Sequence, residues 1–301
     1  MTAFESFLED NKIKYLKNEP MSRHTSFHIG GNAQYFVLPD DEKMLIGVID
    51  FCKKSDIPVT LIGKGSNLVV SDSGINGAVI CTLNMNGISL MENGDIFAYS
   101  GASLAALCTF ARDNSLSGIE FAYGIPGSVG GAMFMNAGAY GGEMKDVAVS
   151  TLVLDENLNT RLIEGEDMCL NYRSSIFKKK GLFILGSYFK LKEDKKEDIT
   201  ARMEDYMGRR KSKQPLEYPS AGSVFKRPEG YFAGALIEKN GFKGFSVGGA
   251  QVSEKHAGFI INKGNATCKD VKTLVEIIKE KVQKEDGVTL QPELIFIGKD
   301  I

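Results

Sequence analysis

Residues 124–142 read GIPGSVGGAMFMNAGAYGG, and seven of these 19 positions are glycine, in a chain of 301 residues that holds 33 glycines. Glycine loses more conformational freedom on folding than any other residue, so a cluster implies positive φ angles or close approach of backbone to something. A second, smaller run, GKGSN, occupies residues 63–67. Successive bare N–H groups in such loops make concave anion sites. From the residues alone two explanations stay open: a cradle for phosphate, or turns packed on the protein itself.

Neither run carries a standard nucleotide signature. The P-loop pattern G-x-x-x-x-G-K-[ST] fails because Ser66 follows Gly65, and G-x-G-x-x-G fails because Leu68 stands where its third glycine belongs. The flanking pattern predicts a β-α-β unit. QYFVLP (34–39) reads as a strand, and Asp40 or Asp41 caps a helix with Leu45, Ile46, Val48, Ile49 and Cys52 on one face; PVTLI (58–62) returns as a strand. LVVSD and GAVICTL read as extended, and SLAALCTFARDN (103–114) as a capped amphipathic helix. The charge-dense stretch 190–213 reads as an exposed helix and as the boundary between two parts of the chain. Beyond it, Val271, Leu274, Val275, Ile277, Ile278 and Val282 mark the apolar face of a helix that Gly287 terminates. A last strand, VTLQPELIFIG (288–298), places Val288, Leu290, Leu294 and Phe296 on one face and Thr289, Gln291 and Glu293 on the other, with Pro292 marking an edge.

Charge and cysteine usage exclude several classes. A net charge of −2 and a pI near 6.0 leave no electrostatic footprint for nucleic acid. The five cysteines are odd in number, far apart and without a C-x-x-C, which predicts buried free thiols in a reducing compartment. The N-terminal stretch has no basic segment followed by an apolar block, and no apolar run approaches a membrane span, so a cytoplasmic chain is expected. His24, His28 and His256 lack partner carboxylates at ligand spacing, and no metal is expected. Met133 and Met135 read as core packing beside the glycines.

Seven segments, taken in order, are far more specific. RHTSFHIGGNAQYFV (23–37), IGKGSNLVVSD (62–72), GIPGSVGGAMFMNAGAYGGE (124–143), NYRSSIFK (171–178), PSAGSVFKRP (219–228), IEKNGFKGFSVGGAQVSEKHAGFIIN (237–262) and LQPELIFIG (290–298) resemble the UDP-N-acetylenolpyruvoylglucosamine reductase (UDP-N-acetylmuramate dehydrogenase) family. The resemblance implies an α+β architecture: an FAD-binding fold of the vanillyl-alcohol-oxidase/PCMH type in two subdomains, 1–84 and 85–195, plus a smaller α+β substrate-binding domain, 196–301. It implies non-covalent FAD, with Gly63, Gly65, Ser66, Asn67 and Leu68 on one side of the pyrophosphate and Gly127, Ser128 and Gly131 on the other. In the implied reaction NADPH reduces the flavin, which passes hydride to the vinyl carbon of UDP-N-acetylenolpyruvoylglucosamine that is remote from the ether oxygen. Arg173 and Glu293 would stabilise the enolate, and Ser223 would donate the proton. Tyr172, Lys213, Lys226 and Gln291 would contact substrate.

Taken singly, these residues have plainer readings: Arg173 a surface ion pair, Ser223 a turn or cap, Glu293 an exposed strand carboxylate, and Lys213 the solvated end of a helix. The chain resembles the shorter, type II form, which lacks an inserted segment with a substrate-covering tyrosine. Arg227 stands where the family frequently has Asn, so no contact is assigned to it. Two rivals remain at this level. One is an alcohol oxidase of the same FAD fold; the other is a non-catalytic nucleotide-binding module.

Overall fold

The computed structural model describes residues 1–301. Contacts group the chain into two compact units, each assembled from separate stretches. The first comprises Met1–Leu16, Phe36–Lys64 and Ala78–Arg210; the second comprises Lys17–Tyr35, Gly65–Gly77 and Lys211–Ile301.

In the first unit the β-α-β expectation holds. Asp41 caps the helix Glu42–Lys54 by accepting from the Met44 N–H at 2.8 Å, and Leu45, Val48, Ile49 and Cys52 are buried. The strand Val59–Ile62 then pairs in parallel with residues 78–81. A five-stranded antiparallel sheet follows in the spatial order Thr160–Glu164, Ala148–Leu154, Phe183–Phe189, Ile96–Tyr99, Ile88–Leu90. The helix Leu104–Asp113, capped by Ser103, buries Leu104, Leu107, Cys108 and Ala111 in the same core as Ile96, Phe177 and Phe189. Burying such side chains contributes about 1.5–3 kcal/mol each.

The charged helix runs Lys196–Lys213. Its thin apolar stripe, Ile199 and Met203, is buried in the core of the first unit. Contacts therefore carry that unit through Arg210.

The second unit holds an antiparallel sheet in the order Ser220–Ser223, Phe259–Asn262, Ala250–Val252, Ser246–Val247. The helix Cys268–Asp286 buries Val271, Leu274, Val275, Ile278 and Val282, and ends at Gly287 with φ 68°. Its N-terminus is capped twice. Thr267 and Asp270 form a reciprocal capping box, and Asp72, distant in sequence, accepts from the N–H groups of Cys268 at 2.8 Å and Lys269 at 3.0 Å. A carboxylate at a helix N-terminus satisfies otherwise orphaned donors and complements the helix dipole.

Two expectations are corrected. Only Ile295–Ile297 of the last segment forms a ladder, in parallel with Leu68–Val70. Residues 288–294 lie outside it because Pro292 offers no N–H and makes one isolated bridge, to Phe225. Leu290 and Leu294 are nonetheless buried while Thr289 and Gln291 are exposed, so the alternation survives without the strand. The second glycine run is also not wholly a loop: Val129–Met135 is a short helix, started by Ser128 and stopped by Asn136 in the left-handed conformation at φ 42°.

Candidate active site

The glycine question has a partly internal answer. A Cβ on Gly63 would collide with Ser128 Oγ, so the first run meets the second within the first unit. Gly65 sits at φ +62°, where a Cβ would strike the His24 carbonyl oxygen. Both glycines are demanded by the protein's own packing. Gly131 differs: it is exposed, and its missing side chain would meet only Ser128 Oγ, at 3.5 Å. Packing does not require glycine there, which leaves the backbone open to a ligand. Gly127 and Ser128 are buried, and Ser128 Oγ accepts from the Gly131 N–H at 3.4 Å. Asn67 and Leu68 lie in the second unit; Asn67 Nδ2 donates to the Glu293 carbonyl at 3.1 Å, and Leu68 pairs with Ile295. Ser66 is half-buried beside them.

Arg173 occupies a tight turn. Asn171 and Ser174 exchange main-chain hydrogen bonds, both 3.0 Å, and Arg173 between them has φ 53°. That conformation costs a non-glycine residue roughly 1–2 kcal/mol. Its guanidinium carbon lies 5.0 Å from the ring centroid of Tyr172, which is 51% exposed. The turn is fastened from both sides: Ser175 Oγ donates to the Phe134 carbonyl at 2.7 Å, and Asn136 Nδ2 donates to the Asn171 carbonyl at 3.1 Å.

In the second unit, Ser223 and Glu293 lie on paired segments. The Glu293 N–H donates to the Val224 carbonyl at 2.7 Å, and the Lys226 N–H to the Gln291 carbonyl at 2.9 Å. Ser223 is exposed at the end of its strand, just past a register shift between Ser220 and Ser223 where Gly222 takes φ +79°. An irregularity of this kind re-aims the side chain that follows it. Ser223 is thus neither a helix cap nor a simple turn residue. Glu293 is half-buried.

The cations expected to meet a diphosphate differ in exposure. Lys213 is exposed at the end of its helix, Lys226 is half-buried, and Gln291 is exposed. Arg227 is exposed with its guanidinium carbon 4.0 Å from the centroid of Phe232, itself 62% exposed. His256, in the turn between the strands Ala250–Val252 and Phe259–Asn262, accepts from the Gly258 N–H through Nδ1 at 3.0 Å. Burial holds its imidazole below the usual histidine range.

Sequence reasoning passed over Asn136, Ser175 and Gly222. The signal for Asn136 was its own residue type, since Asn tolerates the left-handed region, but it lay inside the glycine run and was absorbed by it.

Against known proteins, the family model described as an FAD binding domain matches residues 33–157. With the α+β architecture above, this defines the class: an FAD-dependent oxidoreductase. The model described as UDP-N-acetylenolpyruvoylglucosamine reductase, C-terminal domain, matches residues 214–297. The reductase of that name from Syntrophomonas wolfei is 48% identical over 295 residues, covering 98% of each chain. That of Caldanaerobacter subterraneus is also 48% identical, covering 98% of this chain and 97% of its own. The crystal structure of the Thermus caldophilus reductase superposes with a TM-score of 0.80 at 33% identity, covering 94% of this chain and 98% of that one. The chain belongs to the UDP-N-acetylenolpyruvoylglucosamine reductase family. No helix is long and apolar enough to cross a membrane, and all five cysteines are free, four of them buried.

Proposed function

We propose that the chain reduces the enolpyruvyl ether of UDP-N-acetylenolpyruvoylglucosamine to the lactyl ether of UDP-N-acetylmuramate, a peptidoglycan precursor, in the cytoplasm with NADPH as electron donor. The observation that carries the reading is the pairing of the Ser223 and Glu293 segments through the Glu293 N–H to Val224 carbonyl bond at 2.7 Å. It sets Ser223 and Glu293 on neighbouring backbone segments, a serine beside a carboxylate, which suits a proton transfer to a carbanion. An alcohol oxidase has no use for such a pair.

FAD fits the residues present, since Gly131 leaves backbone exposed beside Ser128 and a bulkier residue there would fill that space. By the family resemblance, Gly63, Gly65, Ser66, Asn67, Leu68, Gly127, Ser128 and Gly131 would hold it. When bound, FAD supplies the two-electron transfer between NADPH and the enolpyruvyl double bond.

The protein's own task is charge and proton management. Arg173 presents planar guanidinium donors to the substrate carboxylate as negative charge grows on it. Ser223 gives its hydroxyl proton to the carbon bearing that charge and regains one from solvent. A serine hydroxyl is a weak acid, so this step needs the strongly basic carbon that the enolate provides. Glu293 supports the enolate and its protonation. Lys213 and Lys226 meet the diphosphate, and Tyr172 and Gln291 contact the sugar-nucleotide. In functional terms residues 1–84 and 85–195 hold the flavin, with Tyr172 and Arg173 of the latter assigned to substrate, and 196–301 serve the substrate.

Anaerobic mixing tests the reading. NADPH should bleach the flavin absorbance, and UDP-N-acetylenolpyruvoylglucosamine should restore it with one product molecule per flavin. A reduced enzyme that stays bleached with the sugar nucleotide but recolours rapidly in oxygen would favour the oxidase instead.

A further inference from the structure

Asn136 is fully buried, and its side chain makes three hydrogen bonds within the first unit. Nδ2 donates to Glu143 Oε2 at 2.6 Å and to the Asn171 carbonyl at 3.1 Å, while Oδ1 accepts from the Lys145 N–H at 3.0 Å. The carboxylate and carbonyl only accept and the amide N–H only donates, so the orientation of the Asn136 amide is fixed by its partners. Two of the bonds stay within the Asn136 loop and satisfy it locally. The third reaches across 35 residues to the turn that carries Arg173.

That turn needs holding. Arg173 sits in the left-handed region, which a chain keeps only where its surroundings impose it. Asn136 grips the carbonyl at the start of the turn, and Ser175 Oγ grips the Phe134 carbonyl just past its end, so both anchors lead to the C-terminal end of one short helix. Asn136 is itself left-handed at φ 42°, which turns its side chain off the helix end. The Lys145–Glu143 ion pair further holds the carboxylate that accepts from Asn136.

We propose that Asn136 is a positioning residue for Arg173: it imposes the strained turn and so aims the guanidinium, without touching substrate. This rests on the role of Arg173 proposed above. A catalytic group displaced by about 1 Å loses about 10²-fold in rate.

The test uses the FAD-loaded enzyme and its two half-reactions. Asn136→Ala should leave flavin reduction by NADPH within about twofold of wild type, and slow reoxidation by UDP-N-acetylenolpyruvoylglucosamine about 10²-fold. Amide hydrogen exchange at Asn171 and Ser174 should quicken. On an Arg173→Ala background the same substitution should add little, because the group it aims is gone.

Asn136→Asp gives an independent readout. It keeps the side chain's size while removing the amide donors to Glu143 and to the Asn171 carbonyl. An acid side chain has at most one O–H where the amide gives two N–H bonds, so Asn136→Asp should slow reoxidation by the sugar nucleotide at least about 10-fold and leave flavin reduction by NADPH within about twofold.

Reoxidation at the wild-type rate in Asn136→Ala or in Asn136→Asp, or losses that multiply in the double variant, would each overturn the proposal. If Asn136→Ala does not fold, the two half-reactions of Asn136→Asp decide. A wild-type enzyme that fails to reoxidise with the sugar nucleotide would instead defeat the proposed function.

Discussion

The main-chain N–H of Glu293 donates to the carbonyl of Val224 at 2.7 Å, which places Glu293 across from the residue following Ser223. A hydroxyl and a carboxylate on neighbouring backbone can act in one proton transfer, and substitution separates their contributions. Ser223→Ala is expected to leave flavin reduction by NADPH fast and to stall turnover by about 10²–10⁴-fold, the usual contribution of a general acid. Glu293→Gln should lower turnover with flavin still bound. Stopped-flow spectra of both half-reactions check the pair, and unchanged turnover in Ser223→Ala would remove it from the mechanism.

Arg173 carries a stability cost with its function. Replacing it by glycine removes the left-handed penalty, and replacing it by alanine does not. Both variants should lose turnover, and Arg173→Gly should be the more stable of the two by about 1 kcal/mol, measured by urea unfolding. Equal stability would mean that the turn imposes no strain.

Gly65 should tolerate no side chain. Gly65→Ala combines φ +62° with a collision at the His24 carbonyl, and the left-handed backbone alone costs about 1–2 kcal/mol. The variant should purify with a lowered melting temperature and depleted FAD. Gly131→Ala meets no such clash in the protein. It should keep its melting temperature without cofactor and lose flavin affinity, and a Gly131→Ala enzyme with full affinity would exclude that backbone from the cradle.

Acid should loosen the first unit through Glu120. Burial alone would raise this carboxyl, but donors outweigh it: its own N–H, the Gly118 N–H at 2.8 Å, Arg202 at 2.9 and 3.0 Å, and Ser117 Oγ at 2.9 Å. The folded-state value therefore lies below the unfolded one. Its stabilisation is present above the ordinary glutamate range and is lost as pH falls through the folded value. Glu120→Gln should cost about 1 kcal/mol at neutral pH, because Arg202, 38% exposed and still paired with Asp194, loses one of two carboxylate partners. The same variant should flatten the acid limb of a melting-temperature profile.

Local chemistry was legible in the chain itself. Asp41 and Ser103 as helix caps, Gly287 as a helix stop, and the buried stripe of the helix Cys268–Asp286 all follow from spacing and residue type. Each depends only on residues a few positions apart, and helical geometry brings those together whatever the rest of the chain does. The ordered motifs were likewise enough to place the chain in its family.

What distant segments do to one another had to come from the folded chain. Periodicity made residues 288–298 one strand, but Pro292 and the bridge to Phe225 cut it to Ile295–Ile297. The glycine runs looked alike as text, yet Gly63 answers to Ser128, Gly65 to the His24 carbonyl, and Gly131 to open space. Nor did the sequence show the left-handed turn at Arg173 or the Asn136 amide that grips it. Sequence determines the helix faces, the caps and the family because these rest on neighbours along the chain. Only tertiary structure decides which backbone is crowded and which side chain is aimed, because those contacts join residues that spacing does not relate.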